Sequence, residues 1–199
     1  TRRSRRPLRQ GPTMLSYDIL LFLHISAAVI WLGSGFLLHI LAFRAERAGD
    51  APALMAALRD MGTLGNVLFV PASLATLVFG IALVLVGGWA FTDLWIVLAL
   101  IGYATSFIIG AFVLKPRGEA IGATVARDGI SAEVIRKGRQ LSVIGRVEAT
   151  VLFVIVALMA LKPSVDDVAT LAGIAVLLVA GVALSVVSGR APSPEAATA

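Results

Sequence analysis

Five long apolar runs constrain this chain more than any motif. They lie at about 17–43, 66–86, 91–114, 143–161 and 168–187. Each is roughly 19 to 27 residues, enough for a helix rising 1.5 Å per residue to cross about 30 Å of hydrocarbon. Inside a bilayer no water pairs with backbone N–H and C=O groups, so such runs must close their hydrogen bonds internally as helices. Composition agrees: 58% of residues are hydrophobic and only 15% are charged, where a soluble domain carries about a quarter charged residues. The expected fold is all-α and polytopic, a four-helix transmembrane bundle with a fifth transmembrane helix added.

The connections divide into two kinds. "GGWAFTD" (87–93) and "KPSVDD" (162–167) are short returns. The stretches 44–65 and 115–142 are longer, polar and basic. In the first, Asp50 can cap a short helix with Pro52 in its opening turn. In the second, "SAEVIRKGRQ" starts like a capped amphipathic helix that runs into the fourth span. Arg44, Arg47 and Arg59 lie in or next to the first, and Lys115, Arg117, Arg127, Arg136, Lys137, Arg139 and Arg146 in or next to the second, whereas the opposite connections hold only Lys162. The positive-inside rule then puts 44–65 and 115–142 in the cytoplasm and the protein in a bacterial inner membrane. The formal charge of +5 reflects these flanks; with no aromatic-rich basic patch among them, nucleic acid is not an expected partner.

The opening segment "TRRSRRPLRQGPT" has five arginines on what would be the outer side. Met14 begins a cleaner start, "MLSYDILLFLH". Residues 1–13 are therefore expected to be a disordered, non-native basic segment. Residues 14–189 form one transmembrane domain, and 190–199 a disordered tail. Spans one and two, and spans three and four, each read as helix, basic connection, helix. Either this is a parallel repeat of two hairpins, or any two transmembrane hairpins look this much alike.

Apolar burial does not drive helices together in lipid; close packing of small residues does. At 100° per residue His24, Ala27, Ala28, Trp31, Gly35, Leu38 and Ala42 share one face of the first span, with His39 about 60° from His24. That face should meet protein. Span two clusters Asn66, Ser73, Thr76 and Gly80; span three repeats Gly102, Ser106 and Gly110; span five has Gly181 and Ser185. Such faces permit a homodimer or a larger membrane complex beside the lipid bilayer itself.

Candidate chemistry is sparse. There is no cysteine, so thiolate and disulfide chemistry is excluded. No phosphate loop, zincin motif or nucleophile elbow occurs, and no catalytic residue is assigned. The two histidines lie in one span. His24 reads either as a ligand to haem or copper, with Trp31 able to stack on a flat cofactor, or as a neutral imidazole bonded to Ser73, Thr76 or a backbone carbonyl. His39 is roughly 22 Å further along the helix axis, so the two cannot hold one metal within one chain. Arg146 and Glu148 stand where span four enters the membrane. Glu148 can meet His39 or Asn66, in a proton or substrate role or as a lock between helices, and Arg146 can snorkel.

The segment "LFLHISAAVIWLGSGFLLHIL" (21–41), with "FVLKP" (112–116) and "ALMALKP" (157–163), resembles a group of small bacterial integral membrane proteins of unknown function, over residues 14–163. The first span is also similar to that of the copper-resistance D domain and, more distantly, to haem-dependent membrane protoporphyrinogen oxidase. His24, Trp31 and Gly33 are the positions that carry over. The resemblance implies a membrane fold, and for the oxidase a haem-binding histidine at His24. The functional expectation is an accessory, scaffold or permease-like membrane protein, with no enzymatic activity expected. The alternatives are a haem-binding redox protein with His24 as axial ligand, or a copper-handling protein.

Overall fold

The computed structural model describes residues 14–190. The expected disordered segments lie outside these residues, apart from Arg190, which belongs to the last helix.

Helix α1 (Met14–Ala48) is unbroken. The chain reverses at Gly49, with φ +70°, a left-handed conformation that glycine adopts without a Cβ penalty. Asp50 then caps α2 (Ala51–Leu64), its side chain accepting from the Ala53 amide at 2.9 Å. A π-helical turn at Gly65–Phe69 carries α2 directly into α3 (Val70–Gly87). Helix α4 (Leu94–Ile108) likewise passes through a π-helical turn at Ile109–Leu114 into α5 (Lys115–Asp128). Ser131 caps α6 (Ala132–Leu161) by accepting from Val134 N at 3.3 Å, and α7 (Val168–Arg190) follows a short connection.

Each π-helical turn lies just ahead of a proline, Pro71 and Pro116. Proline lacks an N–H and its ring collides with the carbonyl four residues back. Widening the preceding turn keeps the helix continuous where a regular ladder would break. The two irregular regions are tied together: Lys115 Nζ donates to Asn66 Oδ1 at 3.1 Å.

Among the described residues there are therefore five helices long and apolar enough to cross a membrane, Ser16–Ala48, Ala51–Gly87, Leu94–Asp128, Ala132–Leu161 and Val168–Gly189. The basic stretches 44–65 and 115–142 are not loops: almost all their residues extend these helices. The caps at Asp50 and Ser131 were legible, but the helix over Lys115–Asp128 was not expected. Its one buried residue, Ile121, together with Val125 and Leu114, packs against the α2 face. Pro116, Gly118 and Gly122 obscured that pattern.

The 37 residues of Ala51–Gly87 make a rod about 55 Å long, far more than the about 30 Å of hydrocarbon. The surplus lies at the arginine-rich end. There Ala42 and Ala45 of α1, Leu54, Met55, Ala57 and Leu58 of α2, Ile121 of α5, and Val134 and Leu141 of α6 form the larger buried apolar cluster. That is the part of the molecule where water drives burial. At the opposite end Trp89 and Trp95 meet edge to face at 5.4 Å, with Lys162 Nζ 4.5 Å and 5.4 Å from their ring centres. These are residues suited to a membrane–water interface.

Between the two ends, small residues make the contacts. Helix α1 packs on α3 and α6, α4 on α6, and α7 on α6. A side chain at Gly102 would meet Ile155 of α6 at 2.8 Å, and one at Gly181 would overlap Thr150. On α1, Ala27, Leu38 and Ala42 are buried as the wheel predicts. Gly35 is not, since a Cβ there would find open space.

Candidate functional site

Two polar sites are built on α1, at different depths. At the first, His24 Nδ1 is 2.8 Å from the carbonyl oxygen of Thr76 on α3. A carbonyl only accepts, so Nδ1 carries the proton and Nε2 keeps its lone pair. Gly80, one turn on, lets the ring approach; a Cβ there would lie 3.1 Å from Cε1. The hydroxyls expected to serve His24 turn away: Ser73 Oγ donates to the Val70 carbonyl at 3.0 Å and Thr76 Oγ1 to the Ala72 carbonyl at 2.8 Å. Trp31 is half-buried and packs edge to face on Tyr103 of α4, 5.7 Å between ring centres.

The second site joins three helices. Glu148 of α6 accepts from Ser106 Oγ of α4 at 2.7 Å through Oε1, and its Oε2 is 4.0 Å from His39 Nε2 of α1. Both side chains are nearly buried, at 14% and 13% exposure. At 4.0 Å the imidazole and the carboxyl group are neighbours but too far apart for a direct hydrogen bond. His39 is seated over Gly145, as His24 is over Gly80. Two residues before Glu148 on α6, Arg146 Nη1 donates to Glu46 Oε2 at 2.8 Å, and the guanidinium carbon stands 5.4 Å from the Phe43 ring centre. Arg146 is thus buried in an ion pair rather than snorkelling. His39, Phe43 and Glu46 follow the i, i+4, i+7 spacing of one helical face.

Asn66 does not join this group; it is exposed and held by Lys115. Sequence reasoning did bring Glu148 to His39, and it singled out Ser106. It missed Glu46, Gly80 and Gly145 as parts of the sites. The seven-residue step from His39 to Glu46 was the available signal for the first. It also missed Tyr103, whose hydroxyl is buried without a protein partner one turn before Ser106. Among the described residues no three His, Asp or Glu side chains are grouped so as to hold a metal ion.

Five long apolar helices, with ionisable groups turned onto one another, define an integral membrane protein. Residues 18–163 match the family model described as predicted integral membrane protein (DUF2269), and the chain belongs to that family. No curated protein and no solved structure matches it. The family match supports the integral-membrane resemblance and adds nothing for the copper-resistance or oxidase likeness.

Proposed function

We propose that the protein is a permease-like component that passes protons through its helix bundle, with Glu148 and His39 as the exchanging pair. The observation that carries this reading is the meeting of Ser106, Glu148 and His39 from three helices inside the apolar zone. An ionisable residue at such depth is costly unless it is paired, and one with a titratable partner is a proton site by default. Tyr103, with its unpartnered hydroxyl one turn away, supports a file of water reaching the pair from the tryptophan-rich end. Helices α1, α3, α4 and α6 would form the working four-helix bundle, α7 would flank it, and small-residue faces would allow a homodimer. The arginine-rich end would face the cytoplasm of a bacterial inner membrane.

The test is proton flux in liposomes of defined orientation, followed with an entrapped pH dye. Glu148→Gln should stop the flux, while Arg59→Gln, an exposed change beside Asp60, should leave it intact. Equal flux in wild type and Glu148→Gln defeats the proposal. Single cysteines at Asp60 and Ile130, both exposed, report sidedness: both should be shielded from an impermeant reagent outside intact cells.

A second reading rests on His24. A ring that donates Nδ1–H to a carbonyl and keeps a free Nε2 is arranged as metal-binding imidazoles are. Haem would be held by His24 as one axial ligand beside Trp31. His39, in the same helix but too far along it, could not supply the other. A Soret band lost in His24→Ala would carry this reading; copper found by metal analysis would favour the copper alternative instead.

A further inference from the structure

A cleft of about 370 Å³ opens between α5, α6 and α7 at the arginine-rich end, lined by Arg117, Gln140, Val143, Ile144, Val186 and Gly189. Its lining mixes polar and apolar side chains. Arg117 and Gln140 supply long polar side chains, while Val143, Ile144 and Val186 are apolar. Its depth is fixed by sequence. Lys115, Pro116 and Arg117 follow directly on the apolar turn Ile109–Leu114. The cleft therefore sits where hydrocarbon gives way to headgroups.

Its charge has no counterpart among the described residues. Among the described residues Arg117 makes no ion pair, whereas Arg146 is matched by Glu46 through Nη1 alone. Arg146 Nε and Nη2 are buried without a partner, and Nη2 lies 3.4 Å from the position a Cβ on Gly189 would occupy. Two donors of Arg146 that Glu46 does not take up thus stand behind Gly189, the one wall residue with no side chain. Arg117 is the one charged residue of the lining, and it gives the cleft a positive rim.

We propose that this cleft binds an anionic phospholipid. Its phosphodiester would lie on Arg117 and Gln140, and its glycerol and first acyl carbons against Val143, Ile144 and Val186. A free phosphate would satisfy the cations but would be stripped of water against three apolar side chains. A lipid satisfies both kinds of lining residue, and basic pockets between transmembrane helices are where headgroups of this kind are held.

The experiment uses the full chain in nanodiscs of phosphatidylglycerol or phosphatidylcholine, released into detergent and weighed by native mass spectrometry. Wild type should retain phosphatidylglycerol and shed phosphatidylcholine. Arg117→Gln should weaken retention about fivefold, the effect of one cation near a membrane surface. Ile144→Trp, which fills the cleft from α6, should also expel the lipid. Arg127→Gln, exposed at the far end of α5 and paired with Asp128, should retain it as wild type does. Equal retention of the two lipids, or undiminished retention in both Arg117→Gln and Ile144→Trp, overturns the proposal. Displacement of the lipid by millimolar inorganic phosphate also overturns it, in favour of a site for a free anion.

Discussion

The imidazole of His39 occupies the space that a side chain at Gly145 would need. A Cβ built there would come within 2.5 Å of Cε1 and 3.0 Å of Nδ1. Helix α6 can approach α1 only because position 145 is glycine, and that approach brings Glu148 to His39. Gly145→Ala should therefore destabilise the protein by about 1–3 kcal/mol, as overpacking generally does, and should separate the pair. Gly33→Ala, where a Cβ meets open space, should cause no loss. Thermal unfolding of both variants in one detergent makes the comparison.

The Arg146–Glu46 pair should respond asymmetrically. Its side chains are 14% and 10% exposed, so removing one partner strands a charge in a poorly solvated place. Glu46→Ala alone should cost about 3–5 kcal/mol. Glu46→Leu combined with Arg146→Met should recover most of that loss, since the desolvation cost disappears with both charges. A double-mutant cycle on denaturation midpoints reads the coupling.

The widened turn before Pro71 should be a weak point of its helix. Pro71→Ala restores an N–H and removes the ring that demands the irregularity. Amide exchange over Gly65–Phe69 should slow in that variant, while exchange over Leu94–Ile108 stays unchanged. Equal exchange in both proteins would show that the turn has another cause.

The short connection before α7 should loosen in acid. Ser164 donates to Asp167 Oδ2 from both its amide, at 2.7 Å, and its hydroxyl, at 2.8 Å. These bonds favour the ionised form and hold the carboxyl below its ordinary value of 3.8. The stabilising contribution is therefore present above that value and is lost as pH falls through the lower folded one. Exchange of the Ser164 amide should rise over that fall, relative to a reference amide in α6. Asp167→Asn should show the raised exchange already at neutral pH.

How much of this was legible in sequence depends on which force acts at each position. The spans were plain because lipid tolerates only long apolar helices. The caps at Asp50 and Ser131 were plain because capping is local chemistry. The meeting of His39 with Glu148 could be anticipated from matching depth. The exclusion of Asn66 could not: its position next to Lys115 depends on two helices widening at once, a tertiary event with no local mark. Glycines 80 and 145 were invisible as sites, because the role of a missing side chain emerges only when the neighbouring ring is placed. Helix α5 was hidden for a related reason. Its propensity is poor, and its stability comes from the α2 face that Ile121 covers.

The cluster around Leu54, Leu58, Ile121 and Val134 gathers at the arginine-rich end, where the long helices exceed the length that a bilayer can enclose. One half of this chain is thus held by what water expels and the other half by how tightly rods fit in oil. Urea should dissolve the first and scarcely touch the second, whereas a harsh detergent should do the reverse. The two parts answer to different solvents, so the loss in any variant is read with one denaturant and one detergent held fixed.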